Sequence, residues 1–173
     1  MAEFWDLYKE NREKTEKKHR RGDPLEPGNY HVVVDIWTVS PDGKLLLTKR
    51  DPQKPWGGYW ECTGGACQAG EESMDAAKRE LAEETGLHAS NLYFLGTNKS
   101  EEKQAFYDNY AYFPDHLCLN EVVLQPGETC DVRLLSFEEV EDAILRGELA
   151  EPVTERFRIY SQPLLALYQK LRK

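Results

Sequence analysis

Residues 65–87 read GACQAGEESMDAAKRELAEETGL, a glycine-bounded segment that leaves little choice of local structure. Gly65 and Gly70 open it, helix formers fill it, and Gly86 stands where a helix needs a left-handed stop. The pattern predicts a helix from about Met74 to Glu84 or Thr85. Ser73 would be its N-cap, and Asp75 would sit in the first turn, where the helix dipole favours an anion. Met74, Ala77 and Leu81 share one face and are expected to pack on a sheet. The charge is the unusual part. Glu71, Glu72, Asp75, Glu80, Glu83 and Glu84 are accompanied by only Lys78 and Arg79 as bases.

Glu80 faces Glu83 at i, i+3 and Glu84 at i, i+4, so three carboxylates meet on one patch. Each like-charge pair costs a few tenths of a kcal/mol, roughly, on a bare helix. The same acids crowd the C-terminal end, where the dipole disfavours anions. A hard divalent cation such as Mg²⁺ or Mn²⁺, which takes oxygen ligands, removes both penalties. Arg79 lies at i, i+4 to Glu83 and can also pair with Glu71, stapling the glycine loop to the helix.

The rest of the chain suits one α/β domain on a mixed sheet. At 173 residues it can close a hydrophobic core. A net charge of −9 argues against a phosphate-hugging nucleic-acid binder but not against a small anionic substrate beside a metal. No run approaches a membrane span and the start has no apolar leader, so a cytoplasmic protein is expected. Cys62, Cys67, Cys118 and Cys130 contain no C-x-x-C pair and read as free, mostly structural thiols.

Tyr30–Val39 is β-branched and reads as a buried strand. Pro41-Asp42-Gly43 then turns the chain into KLLLTK, predicting a hairpin between the two. Residues 51–59 form a loop, and 91–95, 105–113 and 130–135 are further strands. Ser136 with Glu139 predicts a capping box before FEEVEDAILRGE. Phe157, Tyr160, Leu164, Leu165 and Tyr168 fall near helical spacing and are expected as core packing, with Pro163 kinking or interrupting that helix. The first residues divide into strand-like FWDLY and a basic, helix-permitting NREKTEKKHRRGD, read as a solvated arm or hairpin laid on the core.

The segment 65–87 matches, at every defined position, the Nudix box G-x5-E-x7-R-E-U-x-E-E-x-G-U, with U apolar. The matching residues are Gly65, Glu71, Arg79, Glu80, Leu81, Glu83, Glu84, Gly86 and Leu87. LLLTKR and GYWECTGG before the box, and DVRLLSFEEV after it, also resemble the Nudix superfamily. Thr63 stands where the family usually has Pro, and Leu134 where it often has Trp.

The resemblance implies an α/β/α sandwich around a mixed sheet. Residues 30–162 would form the Nudix domain of a single-domain chain 1–173, and residues 1–29 an N-terminal arm or hairpin packed on it. It also implies a Mg²⁺- or Mn²⁺-dependent hydrolase of nucleoside diphosphate derivatives or similar small diphosphates. Carried over by position, Glu80, Glu83 and Glu84 with the Gly64 carbonyl would hold metal, while Gly65, Glu71, Arg79 and Gly86 would be structural. Glu83 and Glu84 would be catalytic, and the general base would be a helix glutamate or a later acid, Glu128 first and Glu121 second. Lys49 and Arg50 are candidates for phosphate contact, Trp56 and Tyr59 for base stacking, and Trp60 for a structural role. The expected partner is a small-molecule diphosphate, with nucleic acid disfavoured, no membrane, and a homodimer allowed.

Two alternatives stay open at this point. The N-terminus also resembles isopentenyl-diphosphate-isomerase-like relatives, although Gly64 occupies the position of their cysteine and the hydrolase box is intact. A silent Nudix-like ligand sensor would lose box glutamates, and none is lost here.

Overall fold

The computed structural model describes residues 2–172. A hairpin opens the chain, β1 (Phe4–Tyr8) against β2 (Lys14–Arg20), antiparallel. The arm is therefore a hairpin, and the helix-permitting basic run is its second strand. Next come β3 (His31–Thr38), β4 (Leu45–Arg50), β5 (Trp60–Glu61) and β6 (Thr63–Ala66). Helix α1 (Ser73–Thr85), β7 (Tyr93–Ser100), β8 (Ala105–Tyr112), β9 (Thr129–Leu135), α2 (Phe137–Leu145) and α3 (Glu151–Leu171) complete the order. Among the described residues, no helix is long and apolar enough to cross a membrane.

Two further sheets carry the core. One is mixed, ordered β6-β3-β8-β7, with β3 and β8 parallel; the other is antiparallel, ordered β5-β4-β9. The alternation along β3 sets the layers. Val32, Val34 and Ile36 meet Ala76, Ala77 and Leu81 of α1. Trp37, with Val39 and Leu47, meets Val140 of α2 and Val153, Phe157 and Leu164 of α3. Helices thus cover both sides of the strands, the α/β/α arrangement expected.

The hairpin expected between the first two core strands is not formed. The turn exists, with Lys44 N–H on Ser40 Oγ at 3.0 Å and Gly43 N–H on Ser40 O at 2.9 Å, but only Val39 and Leu45 bridge. Leu45, Leu46 and Leu47 are all fully covered, so β4 is buried on both faces and needs its own sheet. Its edges are taken by β5 and β9, those of β3 by β6 and β8.

Pro163 neither breaks nor interrupts α3, which runs through it. Pro163 is exposed while Leu164 is fully buried, so burial of the inner face outweighs the lost backbone donor. The capping box at Ser136 forms as expected: Glu139 N–H donates to Ser136 Oγ at 3.1 Å, and Ser136 N–H donates to Glu139 Oε2 at 2.7 Å. The four thiols are free.

Candidate active site

Helix α1 enters from the glycine loop and stops at Gly86, which has φ 72° and donates to Ala82 O at 2.9 Å. Two local expectations are corrected. The N-cap is Glu72, without a side-chain cap bond, because Ser73 lies inside the helix and its hydroxyl pairs with that of Tyr110. Met74 is exposed, and Ala76, two residues on, is buried beside Ala77 and Leu81 instead.

Arg79 organises the loop. Its Nε and Nη2 donate to the two oxygens of Glu71, each at 2.9 Å, and Nη2 also reaches Ala66 O at 3.1 Å. Its Nη1 donates to Glu80 at 2.7 Å and to Glu83 at 3.0 Å. Glu71 also accepts from Gln68 N–H at 3.0 Å. Burial works to raise the Glu71 carboxyl, but its bonds with Arg79 and Gln68 prevail and hold it below the usual range.

A cleft of about 400 Å³ opens beside this loop. Glu61, Glu80, Glu83 and Glu84 all line it, together with Gly64 and Gly65. Glu84 is 6% exposed and accepts from Gly64 N–H at 3.3 Å. Burial, then the neighbouring Glu61 and Glu80, push its carboxyl well above the usual range. Burial also raises Glu80, and raises Glu61 to about 7 although Arg50 grips both of its oxygens at 2.7 and 2.8 Å.

Carboxyls that resist ionisation together are a donor set short of positive charge, and a hard divalent cation suits them. The two glycines fit the same purpose, since a Cβ on Gly65 would land on the Glu80 carboxyl and one on Gly64 on the Val34 carbonyl. As the side chains stand, Arg79 holds Glu80 and Glu83. Among the described residues no three His, Cys, Asp or Glu side chains are grouped closely enough to hold a metal ion.

The remaining expected residues separate. Glu128, Arg50 and Trp56 line the cleft; Glu128 is ion-paired with Lys54, and Trp56 is half exposed with φ 59°. Lys49 and Tyr59 are not in its lining. Lys49 sits 5.6 Å over the Trp60 ring, because alternation along β4 turns it away from Arg50, and Tyr59 packs edge-on against Trp56 at 5.7 Å. Glu121 lies outside the cleft and pairs with His116 at 3.1 Å. Trp60 is buried, with Arg133 stacked 4.0 Å from its ring centre, a structural placement.

Sequence reasoning missed five contributors. Glu61 lies four residues before Gly65, and its position in GYWECTGG was the available signal. Asp35 and Arg156 form a buried ion pair at the back of the cleft, with Arg156 4.4 Å over the Tyr107 ring. Asp35 interrupts an otherwise apolar strand, which hinted at a partner. Glu3 and Arg21 reach the cleft from the first hairpin, and no local pattern marked them.

A layered α/β/α domain with a glycine loop, a stapled helix and a carboxylate-lined cleft is the architecture that the Nudix resemblance implies. The family model for the NUDIX domain matches residues 29–157, and the chain belongs to that family. It is 37% identical over 148 residues to an uncharacterized Nudix hydrolase of Listeria innocua, covering 84% of this chain and 87% of that one. It is 36% identical over 70 residues to the CTP pyrophosphohydrolase of Escherichia coli, 40% of this chain and 50% of that one. A solved protein from Deinococcus radiodurans shares the fold, with TM-score 0.72 and 24% identity, covering 86% of this chain and 92% of that one. The protein is thus a Nudix hydrolase, a pyrophosphohydrolase of a family that generally uses divalent metal ions. The isomerase and sensor alternatives are not favoured.

Proposed function

We propose that this protein is a Mg²⁺- or Mn²⁺-dependent hydrolase that cleaves the diphosphate linkage of a nucleoside diphosphate derivative or a similar small organic diphosphate. The observation that carries the reading is the convergence of Glu61, Glu80, Glu83 and Glu84 on one cleft beside Gly64 and Gly65. Glu80, Glu83, Glu84 and the Gly64 carbonyl are the residues that would hold the cation. Bound there, it would neutralise charge building on the diphosphate oxygens and acidify an attacking water.

The chain's own groups supply the rest. Arg79, anchored to Glu71, keeps the loop and helix in register and releases Glu80 and Glu83 when they turn to the ligand. Glu128 is the base that accepts the water's proton at its carboxylate, once Lys54 moves aside to a phosphate oxygen. Trp56, half exposed at the cleft with a left-handed backbone, stacks the substrate's base. Arg50 keeps its grip on Glu61 and shapes the wall. The pyrophosphohydrolase relative that acts on CTP supports a nucleotide substrate.

The test is a screen of nucleoside diphosphate sugars, dinucleotides, coenzyme A and isoprenoid diphosphates with and without Mg²⁺ or Mn²⁺. Glu83→Gln and Glu84→Gln should each lose roughly a hundredfold in rate if they hold the cation. Full activity in both variants would sink the metal-site assignment.

A further inference from the structure

The family match begins at residue 29, yet Glu3 and Arg21 of the preceding hairpin complete the wall of the cleft. The hairpin is firmly seated. Ala69 N–H donates to Phe4 O at 2.7 Å and Gly70 N–H to Asp6 Oδ2 at 2.6 Å, so it clasps the loop of the box itself. Trp5 stacks on His31 with ring centres 4.1 Å apart and planes 10° apart. Arg12 reaches Asp108 Oδ1 at 2.7 Å and Thr97 at 3.0 Å.

At the end of the hairpin nearest the cleft, Arg21 Nη1 donates to Glu3 Oε2 at 2.7 Å and Arg21 N–H to Glu3 O at 2.9 Å. Trp5 Nε1 holds the other Glu3 oxygen at 3.1 Å. The Arg21 side chain is 52% exposed, and Glu80 and Glu128 act on its charge through space.

The other cations of the cleft are engaged differently. Arg50, Arg79 and Arg156 are each held by a carboxylate 5–17% exposed, against 28% for Glu3, while Lys54 pairs with the more exposed Glu128 and lacks the guanidinium fork. Lys103 pairs with its chain neighbour Glu102. Arg21 therefore brings an exchangeable guanidinium to the side of the cleft that the hairpin supplies. A guanidinium forks onto phosphate as well as onto carboxylate, so Glu3 occupies a position a phosphate could take.

We propose that Arg21 is a specificity residue that binds a phosphate of the substrate beyond the scissile diphosphate, with Glu3 holding the guanidinium until that phosphate replaces it. The proposal rests on the metal-dependent diphosphate reading above, which assigns the scissile group to the acidic wall on α1. It favours substrates carrying a further phosphate over those ending in a neutral group.

Inorganic pyrophosphate and tripolyphosphate are matched probes that differ by that one phosphate. Calorimetric titration at saturating Mg²⁺ would compare wild type with Arg21→Ala, Arg21→Gln and Glu3→Gln, after melting curves show the variants folded. Both Arg21 variants should bind tripolyphosphate about tenfold more weakly, one charge-assisted contact, with pyrophosphate changed less than about twofold. Glu3→Gln, which removes the competing carboxylate, should tighten tripolyphosphate binding. Equal weakening of both probes, no weakening, no binding of tripolyphosphate by wild type, or a loss in Glu3→Gln like that in Arg21→Ala would overturn the proposal. If tripolyphosphate depends on Arg21 while wild type cleaves no diphosphate, the hydrolytic reading fails, and the specificity role falls with it, leaving Arg21 as a phosphate-binding residue only. If cleavage proceeds and neither probe responds to Arg21, this one alone fails.

Discussion

Arg79 grips Glu71 through two parallel bonds, Nε to Oε1 and Nη2 to Oε2, both 2.9 Å. That fork fixes where the glycine loop meets α1, and the third nitrogen is left for Glu80 and Glu83. Arg79→Ala should lower stability by about 2–3 kcal/mol, because Glu71 is left half-buried without its partner. Arg79→Lys keeps charge but not the fork and should recover about half of that loss. Urea unfolding of the pair checks it, and a lysine variant as stable as wild type would show that the fork geometry is irrelevant.

Gly64 and Gly65 are adjacent but should respond oppositely to alanine. A Cβ at Gly64 meets the Val34 carbonyl, a backbone atom within the sheet, so Gly64→Ala should cost about 2 kcal/mol or more of stability. At Gly65 the nearest atoms to the Cβ all belong to the Glu80 carboxyl, the far end of a flexible side chain. Gly65→Ala should melt within a few degrees of wild type, roughly, yet lose most of its hydrolytic rate because Glu80 is displaced. Melting curves and rates measured on the same preparations would separate the two glycines.

Burial raises Glu61 from 4.5 to about 7. The folded state thus holds this proton more tightly than the unfolded chain. The resulting stability is full below about 4.5 and lost as pH rises through about 7. Metal-free wild type should therefore lose stability relative to Glu61→Gln across that window, by at most about 3 kcal/mol. Denaturation at a series of pH values gives the difference, and parallel curves would contradict it. If the cleft takes a divalent cation through ionised carboxylates, Mg²⁺ should raise the melting temperature more at the alkaline end than at the acid end.

The Asp35–Arg156 pair is buried on both sides, with side-chain exposures of 5% and 8%. Asp35→Ala or Arg156→Ala alone should destabilise by about 3–5 kcal/mol, since each strands a charge at the back of the cleft. Replacing both together, Asp35→Val with Arg156→Met, should cost clearly less than the sum. A double-mutant cycle by chemical denaturation reads this coupling, and additive losses would mean the two charges do not depend on each other.

The box segment was the most legible part of the sequence because its information is local. Helix propensity, a stop glycine and i, i+4 spacing act within one or two turns, and they correctly anticipated α1, Gly86 and the Arg79–Glu71 staple. Ser73 was misplaced by one residue because the sequence offers no sign that Tyr110 would claim its hydroxyl. The pairing of β3 with β8 rather than β4 was hidden for a stronger reason. Both β3 and β4 are largely buried on both faces, and the Pro41-Asp42-Gly43 turn points to pairing them with each other, while nothing local shows that other strands flank each. Glu61, Asp35, Arg156, Glu3 and Arg21 reach the cleft from four separate segments, so no spacing rule could collect them.

The docking of the N-terminal hairpin has a consequence in time. Gly70 lies 64 residues beyond Asp6, and Asp108 lies 96 beyond Arg12. Closing loops of that size costs chain entropy before any contact rewards it. The β1–β2 pair itself is local and can form quickly, but its seat exists only after α1, β7 and β8 are in place. Pulsed hydrogen exchange should therefore find the Ala69 and Gly70 amides protected later than those of β3 and β8. By this order the hairpin, early in sequence, docks late, and the cleft gains its Glu3–Arg21 wall after α1, β7 and β8 are in place.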